Sequence, residues 1–114
     1  MILRPDEVAA FIIKALDNKK AQEIKLLKIA NLSILADYFV ICTATSTTHL
    51  KTLSDEIEKT LKDNGEPPLH REGRRAGGWV LIDCGCVVAH LFLKELRDFY
   101  MLERLWSDAE EVAI

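Results

Sequence analysis

Residues 73–106 read GRRAGGWVLIDCGCVVAHLFLKELRDFYMLERLW. After a glycine-bracketed entry come two short apolar runs, Trp79–Asp83 and Cys86–Phe92, parted by Cys84-Gly85. Strand-like runs separated by two residues, one of them glycine, predict a β-hairpin with a tight turn. With Cys84-Gly85 as the loop, Asp83 is expected opposite Cys86, Leu81 opposite Val88 and Trp79 opposite His90, all on one face. Val80, Ile82, Val87, Ala89 and Leu91 then occupy the other face, which is uniformly apolar and requires a cover of helices. The mixed face, carrying Trp79, Asp83 and His90, is the candidate for function. After Phe92 the spacing turns helical. Leu96, Tyr100 and Met101 or Leu105 form a stripe widened by Phe99, Leu102 and Trp106, while Lys94, Glu95, Arg97, Asp98, Glu103 and Arg104 stay outside.

Upstream, Pro5-Asp6-Glu7 marks a helix start, since proline suits the first helical position and acids suit the positive end of the helix dipole. Val8, Phe11, Ile12, Ala15 and Leu16 continue it as an amphipathic helix over Pro5–Asn18. Gln22–Ile29 reads as a half-buried strand, although Leu27 and Ile29 blur its alternation. Tyr38–Cys42 is a continuous aromatic and β-branched run of the kind buried in mid-sheet, with Cys42 a small apolar filler. Ser46 or Thr47 is placed to cap a second helix, lined by Leu50, Leu53, Ile57 and Leu61, ended by Gly65 and barred from continuing by Pro67-Pro68. His70, Arg71, Arg74 and Arg75 make a compact basic loop, a candidate contact for RNA phosphate or an acidic surface. Residues 107–114 read as a loose acidic tail.

The assembled order is helix, strand, strand, helix, strand, strand, helix. The expected fold is α/β: a single domain over residues 1–114 with a small mixed β-sheet packed with helices. With 114 residues the chain can bury a core without staples. No apolar run approaches the roughly 20 residues that cross a bilayer, so no membrane role is expected. The N-terminus lacks secretory-signal features, so the expected location is cytoplasmic, or organellar if a presequence is missing. A net charge of −3 opposes sequence-independent nucleic-acid binding, which needs dense Lys and Arg. Three cysteines, an odd number, favour free thiols over a disulfide framework.

Cys86 with His90 fails as a catalytic set, and spacing lends no support to Cys42 or Cys84 paired with His49 or His70, which stays open. Cys86 and His90 share a face but stand four residues apart on a strand, roughly 13 Å between Cα atoms. Zinc bonds to sulfur and nitrogen are about 2.0–2.3 Å long, so one ion does not hold both. The same distance separates Cys86 as a nucleophile from His90 as its base. Strand positions carry no paired carboxylates, and an isolated Asp83 beside a turn ordinarily accepts hydrogen bonds from turn backbone. His90 has two readings, a packed core histidine or part of a partner surface. The hydroxyl cluster Thr43–Thr48 at a helix start has the donors to cradle phosphate, but it lacks glycine and the Gly-Lys-Ser/Thr of a P-loop.

The joint pattern Glu72-Gly73-x-x-x-Gly77-x-Trp79, Ile82-Asp83-x-Gly85, His90-x-Phe92 and Arg97-x-x-Tyr100-x-Leu102-Glu103-x-Leu105-Trp106 resembles the ribosomal silencing factor family, also called Iojap-related. Asp37–Ile41 and Thr43-x-Thr45-Ser46 extend the resemblance over nearly the whole chain. It implies an α/β domain similar to nucleotidyltransferases without their catalytic carboxylates, hence no enzyme activity and no cofactor or metal. It further implies binding to the large ribosomal subunit through the large-subunit ribosomal protein numbered fourteen, at most peripheral rRNA contact, steric blocking of subunit joining, repressed translation, and a homodimer as an accompanying expectation. The partner-binding set expected from the mixed face and the family pattern is Trp79, Asp83, His90, Arg97, Tyr100 and Glu103. Arg71, Arg74 and Arg75 are candidates for phosphate or RNA contact. Two positions depart from the family's habit: Cys86, where an acid is common, and Ala44, where glycine is common. The alternative function is a nucleotide-binding or nucleotidyltransferase-like enzyme using Thr43–Thr48.

Overall fold

In the computed structural model the described residues are 3–29, 36–73, 78–96 and 110–112. Helix α1 spans Pro5–Asn18 and helix α2 Thr47–Asp63. The strands are β1 Gln22–Lys28, β2 Tyr38–Ala44, β3 His70–Glu72, β4 Trp79–Asp83, β5 Val87–Leu93 and β6 Glu110–Val112. They form one six-stranded sheet in the order β3-β4-β5-β2-β1-β6. Among the described strands only the central β2–β5 pair is parallel. A parallel neighbour needs a long crossover, and here α2 and the β3–β4 hairpin provide it.

Local chemistry sets the helix ends. Glu7, three positions past the N-cap, accepts the Arg4 backbone N–H at 3.0 Å. Ser46 caps α2, its hydroxyl accepting the His49 N–H at 3.0 Å. At the other end Gly65 takes φ +79° and donates to Lys62 O, while the Glu66 N–H reaches Leu61 O at 2.8 Å. These paired bonds close the last carbonyls of α2 in a Schellman arrangement, and glycine adopts that φ without steric cost.

Both helices pack on the sheet face of Val40, Cys42, Val80, Ile82, Ala89 and Leu91, and Ile12, Leu16, Leu50, Leu53 and Ile57 complete that core. The expected helix cover of the uniformly apolar hairpin face is thus observed. A second cluster on the opposite face gathers Leu27, Ile29, Phe39, Ile41 and Phe92, with Trp79, Val88 and Leu96 against it. β1 therefore buries both faces, Leu26 toward the helices and Leu27 away from them. A register shift between Gln22 and Lys25, with Glu23 at φ +49°, adds the residue that spoils simple alternation.

Three expectations change. The hairpin pairs Asp83 with Val88, Leu81 with His90 and Trp79 with Phe92, so Trp79 and His90 are not direct partners. The two turn residues are Gly85 and Cys86, because the Cys84 N–H bonds Val87 O at 2.9 Å and the positive φ, +83°, falls on Gly85. The slip is two residues, and since strand faces alternate with period two, every side chain keeps its predicted face. Next, His70–Glu72 is a strand paired with β4, not a loop. Finally, Glu110–Val112 within the expected loose tail pairs antiparallel with β1. Residues 94–96 are helical, as expected after Phe92. The rest of that predicted helix lies outside the described residues.

Candidate partner-binding surface

The hairpin tip is built from the Asp83 carboxylate outward. Its Oδ1 accepts the Gly85 N–H at 2.8 Å, which holds the turn closed and realises the turn-acceptor reading of this residue. The Cys86 carbonyl accepts the Asp37 N–H at 2.7 Å and the Tyr38 N–H at 3.3 Å, joining the tip to the start of β2. Burial, reinforced by the Cys86 and Asp83 charges, pushes the Cys84 thiol up to about 12. Burial likewise raises the Cys86 thiol, helped by the charges of Asp37 and Glu66. Neither thiol is therefore primed as a nucleophile at neutral pH.

His90 lies between Leu81 and Ile41 in register and is 8% exposed. Phe39 meets its ring edge-on at 4.7 Å between centroids, and Phe92 lies parallel to it at 6.3 Å. Burial lowers its pKa to about 4, and its Nε2 has no hydrogen-bond partner among the described residues. His90 thus packs as a neutral core ring behind the mixed face. Trp79 shares that face, half-buried, across from Phe92.

Arg71 is drawn inward rather than offered to phosphate. Its Nη1 donates to Ser54 Oγ at 2.9 Å and lies 2.9 Å from Glu58 Oε2 and 3.4 Å from Asp55 Oδ1. Glu58 also binds Lys62 at 2.9 Å. That hydrogen bond, with the Arg71 and Lys62 charges, outweighs partial desolvation and holds the Glu58 carboxyl below its ordinary value. Arg74, Arg75, Arg97, Tyr100 and Glu103 lie outside the described residues.

The hydroxyl segment spends its polar groups at home. Thr43 is buried in β2 and donates to Glu23 Oε2 at 3.4 Å. The Thr45 N–H donates to His49 Nδ1 at 2.9 Å, so Nε2 carries the proton and donates to Lys19 O at 2.7 Å. Ser46 is committed to the cap. His49, weighed from sequence only as a base beside a cysteine, is thereby the link between the start of α2 and the end of α1. A histidine three residues past an N-cap serine was the available signal.

Two further features were missed. Leu69 is 75% exposed, the one large apolar side chain left open among the described residues. Asp37 and Glu66, from distant parts of the sequence, join Asp83 around the tip.

Residues 3–114 match the family described as ribosomal silencing factor during starvation. The ribosomal silencing factor RsfS of Halalkalibacterium halodurans is 36% identical over 108 residues, 95% of this chain and 92% of that protein. A mouse protein named mitochondrial assembly of ribosomal large subunit protein 1 is 34% identical over 99 residues, 84% of this chain and 43% of its own longer one. A crystal structure of a Chromobacterium violaceum protein superposes with a TM-score of 0.89 at 30% identity, covering 98% of this chain and 92% of that one. The fold shared with these relatives is a small α/β domain whose mixed six-stranded sheet is packed with helices. The chain belongs to the ribosomal silencing factor family.

Proposed function

We propose that this protein is a non-enzymatic anti-association factor. It docks on the large ribosomal subunit through the large-subunit ribosomal protein numbered fourteen, covers the face that meets the small subunit and so lowers translation by steric exclusion. The observation that carries this reading is the family match over residues 3–114. The name of the mouse relative, which refers to large-subunit assembly, supports the choice of subunit. The internal use of Thr43, Thr45 and Ser46 withdraws three groups from the alternative nucleotide site at Thr43–Thr48 and weighs against it.

The partner-binding set is Trp79, Arg97, Tyr100 and Glu103. Asp83 acts by fixing the turn and His90 by filling the layer beneath Trp79. Arg74 and Arg75 are left as the peripheral rRNA contacts, since Arg71 is engaged by α2. The cytoplasm is the proposed site of action, and a homodimer is compatible with it.

Sucrose-gradient sedimentation tests the proposal. The protein is expected to migrate with isolated large subunits and to reduce formation of joined ribosomes when small subunits are added. Protein that stays at the top of the gradient and leaves joining unchanged would refute it. Nucleotide and magnesium, added to the same preparation, are expected to produce neither a thermal shift nor nucleotidyl transfer.

A further inference from the structure

A single exposed leucine is ordinary on a protein surface, but Leu69 is held out by its surroundings. Pro67-Pro68 restricts the chain before it, and its own N–H is tied to Asp83 O at 2.9 Å. A methyl group built on Gly85 would stand 3.3 Å from Leu69 Cδ1, so the leucine lies directly against the turn. Its position is thus fixed before any partner arrives, which reduces the ordering cost of using it as an anchor.

The surroundings are acidic. Asp83 is fixed at the turn, Asp37 is bonded through its backbone to Cys86, and the charges of Asp37 and Glu66 both reach the Cys86 thiol. Glu66 also accepts the Leu3 N–H at 3.0 Å. Among the described residues no Lys or Arg forms an ion pair with Asp37, Glu66 or Asp83. Three carboxylates unpaired with any described Lys or Arg, set around an apolar tip, repel a phosphate backbone and attract Lys and Arg.

We infer that the tip formed by Leu69 and the Gly85-Cys86 turn, rimmed by Asp37, Glu66 and Asp83, is an anchor for a basic protein surface with an apolar recess, and not for RNA. The inference rests on the ribosome-binding reading and selects the chemistry of the contact: a basic ribosomal protein meets this end of the sheet. Leu69 fills the recess, and the acidic rim steers the encounter and sets its salt dependence.

The test measures binding of the full chain to purified large subunits for wild type, Leu69→Arg, Leu69→Ser, Asp37→Lys and a distant control, Lys51→Glu. Circular dichroism establishes folding in each case. The folded Leu69 variants are expected to bind at least about tenfold more weakly, as for an apolar anchor lost from an interface. Asp37→Lys is expected to slow association and flatten its salt dependence, and the control to bind as wild type. Unchanged binding by folded Leu69→Ser and Asp37→Lys, with wild type bound, overturns the tip assignment and leaves the silencing reading standing. Tighter binding by Asp37→Lys identifies a phosphate partner and also overturns it. Wild type that fails to bind removes both.

Discussion

Arg71 Nη1 lies 2.9 Å from Glu58 Oε2, so the short edge strand β3 is fastened to helix α2 by an ion pair. The same nitrogen donates to the hydroxyl of buried Ser54. Both charged partners remain partly open to water, so the ion pair itself is a modest contribution. The hydrogen bond to a buried hydroxyl is the less screened part. Arg71→Ala is expected to cost about 1 kcal/mol and to lower Tm by about 4 °C. Thermal melts at low and high salt check this: the deficit should shrink with salt without vanishing. Arg71→Lys should recover part of the loss, because one nitrogen, Nη1, makes all three contacts and an ammonium also offers three donors from one atom.

The Asp83–Gly85 bond makes a second prediction. Asp83→Ala removes the side-chain acceptor of the Gly85 N–H and is expected to cost about 1 kcal/mol in urea unfolding. Asp83→Asn, which keeps a carbonyl oxygen in place, should recover most of it. Equal loss in both variants would mean that charge, rather than the hydrogen bond, holds the tip.

These two residues also show what sequence could reveal. Asp83 was readable as a turn acceptor because an aspartate before a glycine turn has a strong local preference. Arg71 was not, since its partners lie on α2 and nothing in the order of residues brings them together. The helices and β2 were legible from long apolar periodicity. The hairpin faces survived a wrong register because a two-residue slip conserves parity. β3 and β6, reading HRE and EEV, are too short and too charged to show alternation, and they are strands because neighbours pair with them. Of the candidate site, the turn and the mixed face could be foreseen. Leu69 could not, because exposure depends on which surfaces the fold leaves uncovered.

His90 gives the chain a pH dependence of definite sign. Burial among Phe39, Phe92 and Ile41 lowers its pKa from 6.5 to about 4. Between those values the unfolded chain carries the proton and the folded chain does not. Stability from this residue is therefore complete above pH 6.5 and is lost as pH falls toward 4, with no further loss below. The span corresponds to roughly 3 kcal/mol. Denaturant unfolding of wild type and His90→Leu at several pH values from 7 to 4 isolates it. The variant should lack this part of the slope while keeping that of the carboxylates. Parallel curves would show that His90 titrates alike in the folded and the unfolded chain.

Gly73 and Gly65 separate two reasons for glycine. Both take positive φ, +96° and +79°. At Gly65 an added methyl meets nothing within 4 Å, so Gly65→Ala bears only the backbone strain, about 1–2 kcal/mol. At Gly73 the methyl would press on the Trp79 carbonyl oxygen and lie 2.7 Å from Trp79 Cε3. The carbonyl is backbone of β4 rather than the end of a flexible side chain, so Gly73→Ala must carry the strain and displace the strand end as well. Its destabilisation is expected to exceed that of Gly65→Ala by about 1–3 kcal/mol, the usual cost of overpacking. The emission of Trp79, read in a Trp106→Phe background, should shift for Gly73→Ala and stay unchanged for Gly65→Ala. Equal losses with no spectral change would mean that φ alone selects glycine at both positions.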